Sequence, residues 1–468
     1  MTQAEVDLAI IGGGPAGYVA AIRAAQLGMR VALVERAELG GTCLNWGCIP
    51  TKALLHTADL LRACLDAARF GVRVGEASVD LGKAVEHSRQ VAARLNSGVR
   101  HLLRRHRVAV HEGSARILEA GRVEVTEAAG GRSLLAARDV LVATGARARR
   151  WPGLEAADPD RVWSYREALT PKGVPASLLV IGAGAIGMEF ASFYAALGTR
   201  VTVVEAQERV LPAEDDEVSA FVQASFEGEG IRVLTGCTVE AIGLGPDGVR
   251  AELRRADQRE RVEAERVLVA IGVAGNVEGL GLESTAVRVE RGFIVADALG
   301  ATAQPGVHAV GDVAGPPWLA HKASHQALAC VERIAGVAAR DGGGSHAKIP
   351  ACTFCHPQVA SVGLSERAAR ALGRKVKVGR FPFSGNGRAI AAGLGDGLVK
   401  TVFDGDTGEL LGAHLVGSGV TELVQGFTIA TALEATEAEL IDVVFPHPTL
   451  SEAMHESVLA AFGRALHV

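Results

Sequence analysis

Two stretches of the chain carry one hydrophobic pattern. Residues 6–35 read VDLAIIGGGPAGYVAAIRAAQLGMRVALVE, and residues 176–205 read ASLLVIGAGAIGMEFASFYAALGTRVTVVE. In each, a continuous apolar run of the kind buried on both faces of a sheet meets a glycine turn. Apolar residues then recur at helical spacing as far as Leu27-Gly28 or Leu197-Gly198, and a second apolar run ends in Glu35 or Glu205. The offset is 170 at each of these positions. The pattern predicts strand, turn, helix, turn, strand, twice over. Apolar runs ending in glycine at 140–145 (VLVATG) and 267–272 (VLVAIG) predict the strands that close each unit. His308-Ala-Val-Gly311-Asp312 predicts a strand ending in Gly-Asp. The glycine-rich 342–345 (GGGS) reads as a linker. Beyond it, strand-like runs at 359–362, 398–403 and 410–416 precede helix-like runs at 422–433 and 450–466, which predicts a separate α+β domain.

Composition narrows this picture. The 468 residues include 57 glycines, well above the usual share of about 7%. No G-X-Y period is present and 48% of residues are hydrophobic, so collagen and disorder are excluded. The glycines must serve turns and close backbone approaches. A formal charge of −5 gives no nucleic-acid signature. Arg100, Arg104, Arg105 and Arg107 are spaced like a solvated helix end. The apolar stretch 8–22 follows Glu5 and Asp7 rather than a basic segment, and 176–188 is too short to span a bilayer. The expectation is a soluble, cytoplasmic protein without a targeting segment. Seven scattered cysteines are no secreted framework; in a reducing compartment a disulfide would be catalytic.

The chemistry of the repeat is that of two dinucleotide sites. Gly12 and Gly182 allow a tight turn, and Gly14 and Gly184 admit a pyrophosphate to a helix N-terminus. Gly17 and Gly187 let helix and strand pack closely. Glu35 and Glu205 can each accept from a ribose 2′-OH. Glu205 would repel a 2′-phosphate, and no Arg follows before Arg209, so NAD is expected over NADP.

A sulfur pair follows the first acid. Cys43 and Cys48 are five residues apart, about 7.5 Å of rise on an ideal helix, beyond the roughly 7 Å Cα limit of a disulfide. A bridge needs a distorted turn, which Gly47 and Pro50 permit. Cys48 lies near a helix start, where a thiolate is stabilised, and Lys52 one turn later adds positive charge. Cys352 and Cys355 form a second C-x-x-C in a strand-like context, where i and i+3 lie about 10 Å apart on opposite faces; that pair reads as non-redox.

GGTCLNWGCIPTK at 40–52, following GGGPAGYVAAIRAAQLG at 12–28, resembles the pyridine-nucleotide disulfide oxidoreductases. AHKASH at 320–325 and HPTLSE at 447–452 resemble the members that oxidise protein-bound dihydrolipoamide for 2-oxo acid dehydrogenase complexes. The likeness runs from about residue 6 to the C-terminus. It implies an α/β fold of the glutathione-reductase type: two Rossmann-like dinucleotide-binding domains and a C-terminal α+β dimerisation domain. The boundaries would be 1–148 for FAD, 149–273 for NAD, 274–345 for a central segment returning to the FAD domain, and 346–468 for the interface domain.

By the same resemblance, Cys48 would be the flavin-side sulfur and Cys43 the sulfur that exchanges with substrate. Lys52 would lie by the flavin, paired with Glu189. FAD contacts would fall at Gly12, Gly14, Gly17, Glu35, Thr42, Lys52, Ala115, Thr144, Gly145, Ala146, Asp312, Trp318, Leu319, Ala320 and His321. NAD contacts would fall at Gly182, Gly184, Ile186, Gly187, Glu189, Glu205, Val239 and Gly272. No metal is implied. The partners would be a second copy, whose His447 reaches the disulfide as base, and the lipoyl domain of an acyltransferase or a lipoyl carrier protein, with neither nucleic acid nor membrane. The resemblance also suggests a cis His447–Pro448 bond. Glu452 would orient His447, although Thr449-x-x-Glu452 is equally a capping box.

Several positions depart from the family pattern: Thr51, Trp46, Cys355, Trp318, and Val273-Ala274-Gly275-Asn276 where an Arg-x-Pro-Asn turn is usual. The competing readings are a reductase of another disulfide or of a metal ion, and a non-catalytic binding subunit. The C-terminal cysteine pair of mercuric-type reductases is missing, since Cys355 is the last cysteine. The intact Cys43, Cys48, Lys52 and His447 set argues against a non-catalytic subunit.

Overall fold

The computed structural model describes residues 3–154, 158–245, 248–337 and 348–467; the predicted linker at 342–345 lies outside them. The chain divides into two units.

The first unit comprises Met1–Leu54, Gly82–Arg149 and Gly272–Gly344. Its sheet is built on the strand Gln3–Ile11, which pairs in parallel with Val31–Glu35 on one side and Gly131–Val142 on the other. Ala109–Glu119 extends the sheet beyond Val31–Glu35, and Val307–Ala309 extends it beyond Gly131–Val142, both in parallel. Arg122–Glu127 runs antiparallel to both Ala109–Glu119 and Gly131–Val142. The unbroken apolar run serves both faces. Leu8, Ile10 and Leu33 meet Ala20 and Ala24 of the helix Pro15–Gln26 and Ala323 and Ala327 of the helix Ala320–Ile334. Ala9, Ile11 and Val34 face Ile117, Val123 and Val125 on the other side. The basic residues at 100–105 do end a helix, Leu81–Arg105, with Arg104 and Arg105 exposed in its last turn.

The second unit comprises Leu55–Leu81, Arg150–Ile271 and Ser345–Val468. It holds a five-stranded parallel sheet in the order Arg232–Leu234, Arg200–Val204, Ser177–Ile181, Arg266–Val269, Val162–Trp163. Cys237–Leu244, Val249–Arg255 and Gln258–Ala264 form a three-stranded antiparallel sheet. The C-terminal part is α+β. Its five-stranded antiparallel sheet has the order Ala351–Thr353, Val359–Gly363, Leu410–Gly417, Gly397–Asp404, Val376–Pro382, with the helices Val420–Ala432 and Glu452–Ala461 packed on it. A Cβ at Gly379 would sit 1.7 Å from the Ser457 carbonyl oxygen, so the helix that begins at Glu452 lies directly on the strand Val376–Pro382.

This second unit buries charge. Lys400 is 2% exposed, and its Nζ donates to Asp215 Oδ1 and Glu217 Oε1 at 2.8 Å and lies 2.9 Å from Glu366 Oε2. Glu214, next to this group, is pushed up to about 7 by burial, with Ser361 pulling down and Asp215 adding to the rise. A carboxyl raised in the folded state binds protons that the unfolded chain releases, so stability falls as pH rises from about 4.5 to 7. At 1.36 kcal/mol per unit this amounts to roughly 3 kcal/mol. Glu214→Gln is therefore expected to raise the urea midpoint at pH 8 and to leave it nearly unchanged at pH 5. An equal shift at both pH values would disprove the titration.

Candidate active site

The two glycine turns repeat atom for atom. Gly12 N–H donates to Val34 O and Gly182 N–H to Val204 O, each at 2.8 Å. A Cβ on Gly17 would lie 1.8 Å from Gly12 O, and one on Gly187 would lie 1.9 Å from Gly182 O. Both helices start at a glycine without a side-chain cap, Gly14 or Gly184, so the first-turn amides face outward for an anion. The acids do more than the sequence suggests. Glu35 accepts from the Gly13 amide at 2.6 Å and the Ala37 amide at 2.8 Å. Glu205 accepts from Ala183 at 2.7 Å and Gln207 at 2.9 Å. Each carboxylate thus anchors its own glycine turn. Gly17→Val is expected to lower the melting temperature by ~5 °C or more; an unchanged melting temperature would refute the close-packing role.

Beside the first turn is a cavity of about 210 Å³, lined by Gly12, Glu35, Arg36, Ala115, Thr144 and Asn276 among others. The residues suit the adenosine and pyrophosphate of a dinucleotide: glycine backbone, a helix N-terminus and a fixed carboxylate. Thr144 is placed by reciprocal bonds, its Oγ1 donating to Asn276 O at 2.7 Å and Asn276 Nδ2 donating to Thr144 O at 2.8 Å. The unusual 273–276 turn pairs antiparallel with Ala146–Ala148. Arg147 secures it, donating from Nη1 to Gly275 O at 2.9 Å and gripping Glu278 at 2.7 and 2.9 Å. Gly145 lies between these two sets of bonds, with φ +67°. In the second unit, Ile186 is exposed in the first turn of the helix Ala185–Ala196. Glu189 is buried in the same helix and accepts from the Phe354 amide at 2.9 Å. Val239 lies at a bulge in its strand, and Gly272 is exposed at the end of the closing run.

Asp312 follows the strand Val307–Ala309 in a short 3₁₀ turn, Gly311–Ala314. Sequence reasoning missed its neighbour Lys322, which is 3% exposed. Lys322 Nζ donates to Gly315 O at 2.8 Å and Gly311 O at 3.3 Å. Burial lowers the Lys322 ammonium pKa and Asp312 opposes this; burial raises Asp312 and Lys322 opposes that. A signal existed, because a cation in the first turn of a helix works against its dipole. The Trp318 ring lies tilted against Phe293 with centroids 5.6 Å apart, just before Leu319 and the helix that begins with Ala320 and His321.

The sulfur segment is two helices, not one. Gly41–Trp46 carries Thr42 and Cys43, Gly47 breaks the run at φ −143°, ψ −116°, and Cys48 opens the helix Cys48–Asp66 with Lys52 one turn on. Thr51 ties down the break, its Oγ1 donating to Gly47 O at 2.7 Å. Cys43 is half-buried and Cys48 exposed. Both are thiols here. The Cys48 sulfur beside it, then burial, drive the Cys43 thiol pKa strongly upward, with Asp312 adding and Lys52 opposing. In the other C-x-x-C, Cys352 Sγ points to Thr421 O at 3.9 Å and Cys355 Sγ to Pro357 O at 3.1 Å.

In the second unit, His447 lies between Pro446 and Pro448, with the His447–Pro448 bond cis. Its ring Nδ1 bonds Glu452 Oε1 at 2.8 Å, and Glu452 Oε2 accepts from the Thr449 amide at 2.9 Å. Only half of a capping box forms. The Thr449 hydroxyl turns away to Pro446 O at 2.7 Å, and the helix starts at Glu452 itself. Burial raises the Glu452 pKa, but the Thr449 amide and the His447 ring outweigh it and hold the carboxyl below its ordinary range. The His447 side chain is 78% exposed, which leaves Nε2 open to solvent.

Residues 6–327 match the pyridine nucleotide-disulphide oxidoreductase family, and 349–458 match its dimerisation domain. The chain belongs to this family. The oxidoreductase is 52% identical to the dihydrolipoyl dehydrogenase of Zymomonas mobilis over 98% of this chain and 99% of that one. It is 40% identical to the dihydrolipoyl dehydrogenase of Bacillus subtilis over 99% of each. In three dimensions it superposes on LpdA of Mycobacterium tuberculosis with a TM-score of 0.90 at 27% identity, over 98% of this chain and 99% of that one. It is also similar to RclA, an HOCl-induced flavoprotein disulfide reductase of Escherichia coli, with a TM-score of 0.86 at 25% identity, over 97% and 99%. The family provides for a flavin and a pyridine nucleotide, and the paired glycine turns fit both. No described helix is long and apolar enough to cross a membrane.

Proposed function

We propose that this oxidoreductase converts protein-bound dihydrolipoamide and NAD⁺ into lipoamide, NADH and a proton, as the shared component of 2-oxo acid dehydrogenase complexes. The observation that carries the reading is the sulfur segment: Cys43 and Cys48 face one another across a break at Gly47, with Cys48 at a helix start and Lys52 one turn on. The full-length relatives named dihydrolipoyl dehydrogenase support it.

In the reaction, His447 Nε2 takes a proton from one dihydrolipoyl thiol, and Glu452 steadies the imidazolium through Nδ1–H. The thiolate attacks Cys43 of the Cys43–Cys48 disulfide. The S–S bond breaks and Cys48 leaves as a thiolate, favoured by the helix start and Lys52. The second dihydrolipoyl thiol displaces Cys43, closing lipoamide and leaving a Cys43 thiol. The Gly12–Gly17 turn and Glu35 would hold FAD, which would supply two-electron redox chemistry between the dithiol and NAD⁺. Lys52 would lie near the flavin, and His447 would act on the disulfide of the second subunit of a homodimer. Glu35 holds the FAD turn. Glu205 holds the NAD turn and rejects a 2′-phosphate.

The test is direct. Purified protein should be yellow, release FAD on denaturation, and reduce NAD⁺ but not NADP⁺ with dihydrolipoamide. Colourless protein, or flavoprotein without NAD-linked lipoamide turnover, would refute the proposal.

A further inference from the structure

Cys43 and Cys48 are joined by Leu44, Asn45, Trp46 and Gly47, so the spacing of the two sulfurs depends on how that segment is held. Asn45 is buried, and its Nδ2 donates to Leu39 O and Gly41 O, each at 2.9 Å. The Asn45 carbonyl, at the C-terminal end of the first short helix, accepts from Arg89 Nη2 at 2.5 Å. Arg89 comes from the helix Leu81–Arg105, and its guanidinium lies 4.6 Å over the Trp46 ring. Trp46 Nε1 donates to Glu38 Oε2 at 2.8 Å. Asn96, two turns beyond Arg89, donates to Leu39 O at 2.7 Å. Among the described residues, Arg89 Nε is buried without an acceptor. Arg89 is half-buried, and the contacts that hold its guanidinium are a carbonyl and a ring within the redox segment.

We propose that Arg89 and Trp46 form a clamp that fixes the spacing of Cys43 and Cys48 and so keeps the disulfide hard to reduce. Arg89 is then a positioning residue for the redox step. The inference rests on the reading that Cys43 and Cys48 are the redox pair. Its physical basis is effective concentration: thiols held at bonding distance re-form their disulfide more readily than thiols on a loose segment. Trp46 is one of the positions where the chain departs from the family pattern, and Arg89 is its partner.

The test equilibrates holoenzyme, anaerobically and without NAD, in buffers of reduced and oxidised dithiothreitol. Two electrons and two protons pass from the reagent to Cys43–Cys48 as one disulfide closes and the other opens. Acid quenching, alkylation and peptide mass analysis then count the reduced pair. Arg89→Ala and Trp46→Leu are each expected to move the midpoint ratio about tenfold toward the dithiol, equivalent to ~30 mV. Arg89→Lys, which keeps the donor and the charge, should move it less than threefold. Where Arg89→Ala does not yield folded holoenzyme, Trp46→Leu and Glu38→Gln probe the same clamp. Shifts within twofold in these variants, whatever their melting temperatures, would overturn the clamp. If the wild-type pair formed no disulfide in any buffer, the redox reading would fail instead, so the two failures are distinguishable.

Discussion

Cys48→Ser is expected to yield folded, FAD-containing protein that has lost dihydrolipoamide turnover by at least ~10⁴-fold. Without the second sulfur there is no disulfide to accept the electron pair, and a serine oxygen cannot stand in for it. Cys43→Ser should lose turnover as completely, yet the two variants differ in one signal. The Cys43 thiol is pushed up by the Cys48 sulfur beside it, and Cys48 stands at a helix start with Lys52 one turn on, a setting that favours its thiolate. Anaerobic reduction with NADH should therefore give a long-wavelength thiolate–flavin absorbance in wild type, and Cys43→Ser should show it even before reduction. Cys48→Ser should lack it throughout. If Cys48→Ser kept the band, the roles of the two sulfurs would have to be exchanged.

Glu452→Gln is expected to lower kcat/KM for dihydrolipoamide by 10²- to 10³-fold, on the order of a general acid–base contribution. Glu452 binds the His447 ring with one oxygen and the Thr449 amide with the other. Glutamine can still accept from Thr449 but cannot offset the charge of an imidazolium. The pH dependence of stability separates the two jobs. The Glu452 carboxyl is held below its ordinary range in the folded chain, so its stabilisation is present above the unfolded carboxylate pKa and is lost as pH falls through the folded value. The variant should lose that acid-side slope, melting close to wild type in acid and modestly below it near neutrality. A rate within threefold of wild type, together with a large loss of stability at pH 7, would leave Glu452 as a helix brace alone.

The chemistry most legible in the sequence is the most local. A glycine whose Cβ would strike the carbonyl five residues earlier needs no distant partner to be recognised, and neither does a cysteine at a helix start one turn before a lysine. The strands within 140–145 and 267–272 and those at 359–362, 398–403 and 410–416 were equally readable, since a run buried on both faces or alternating toward one face announces itself residue by residue; the strand Val376–Pro382 was not. The role of Glu35 and Glu205 was only half readable. Their position after the second strand suggests a ribose, but their bonds to the turn amides depend on how that strand lies beside the first.

Sequence by itself thus determined the duplicated glycine cradle and the sulfur pair, because each follows from a short spacing and the geometry of one turn; the full fold class and the His447–Glu452 pairing came from the resemblance to the family. Only the tertiary structure decided what surrounds them. Arg89 reaches Trp46 across 43 positions, Arg147 reaches Glu278 across 131, and Lys400 reaches Asp215 across 185. Such partners are chosen by the packing of separate elements, where a long cationic side chain meets whichever carbonyl, ring or carboxylate the fold brings within reach. No local pattern encodes that choice.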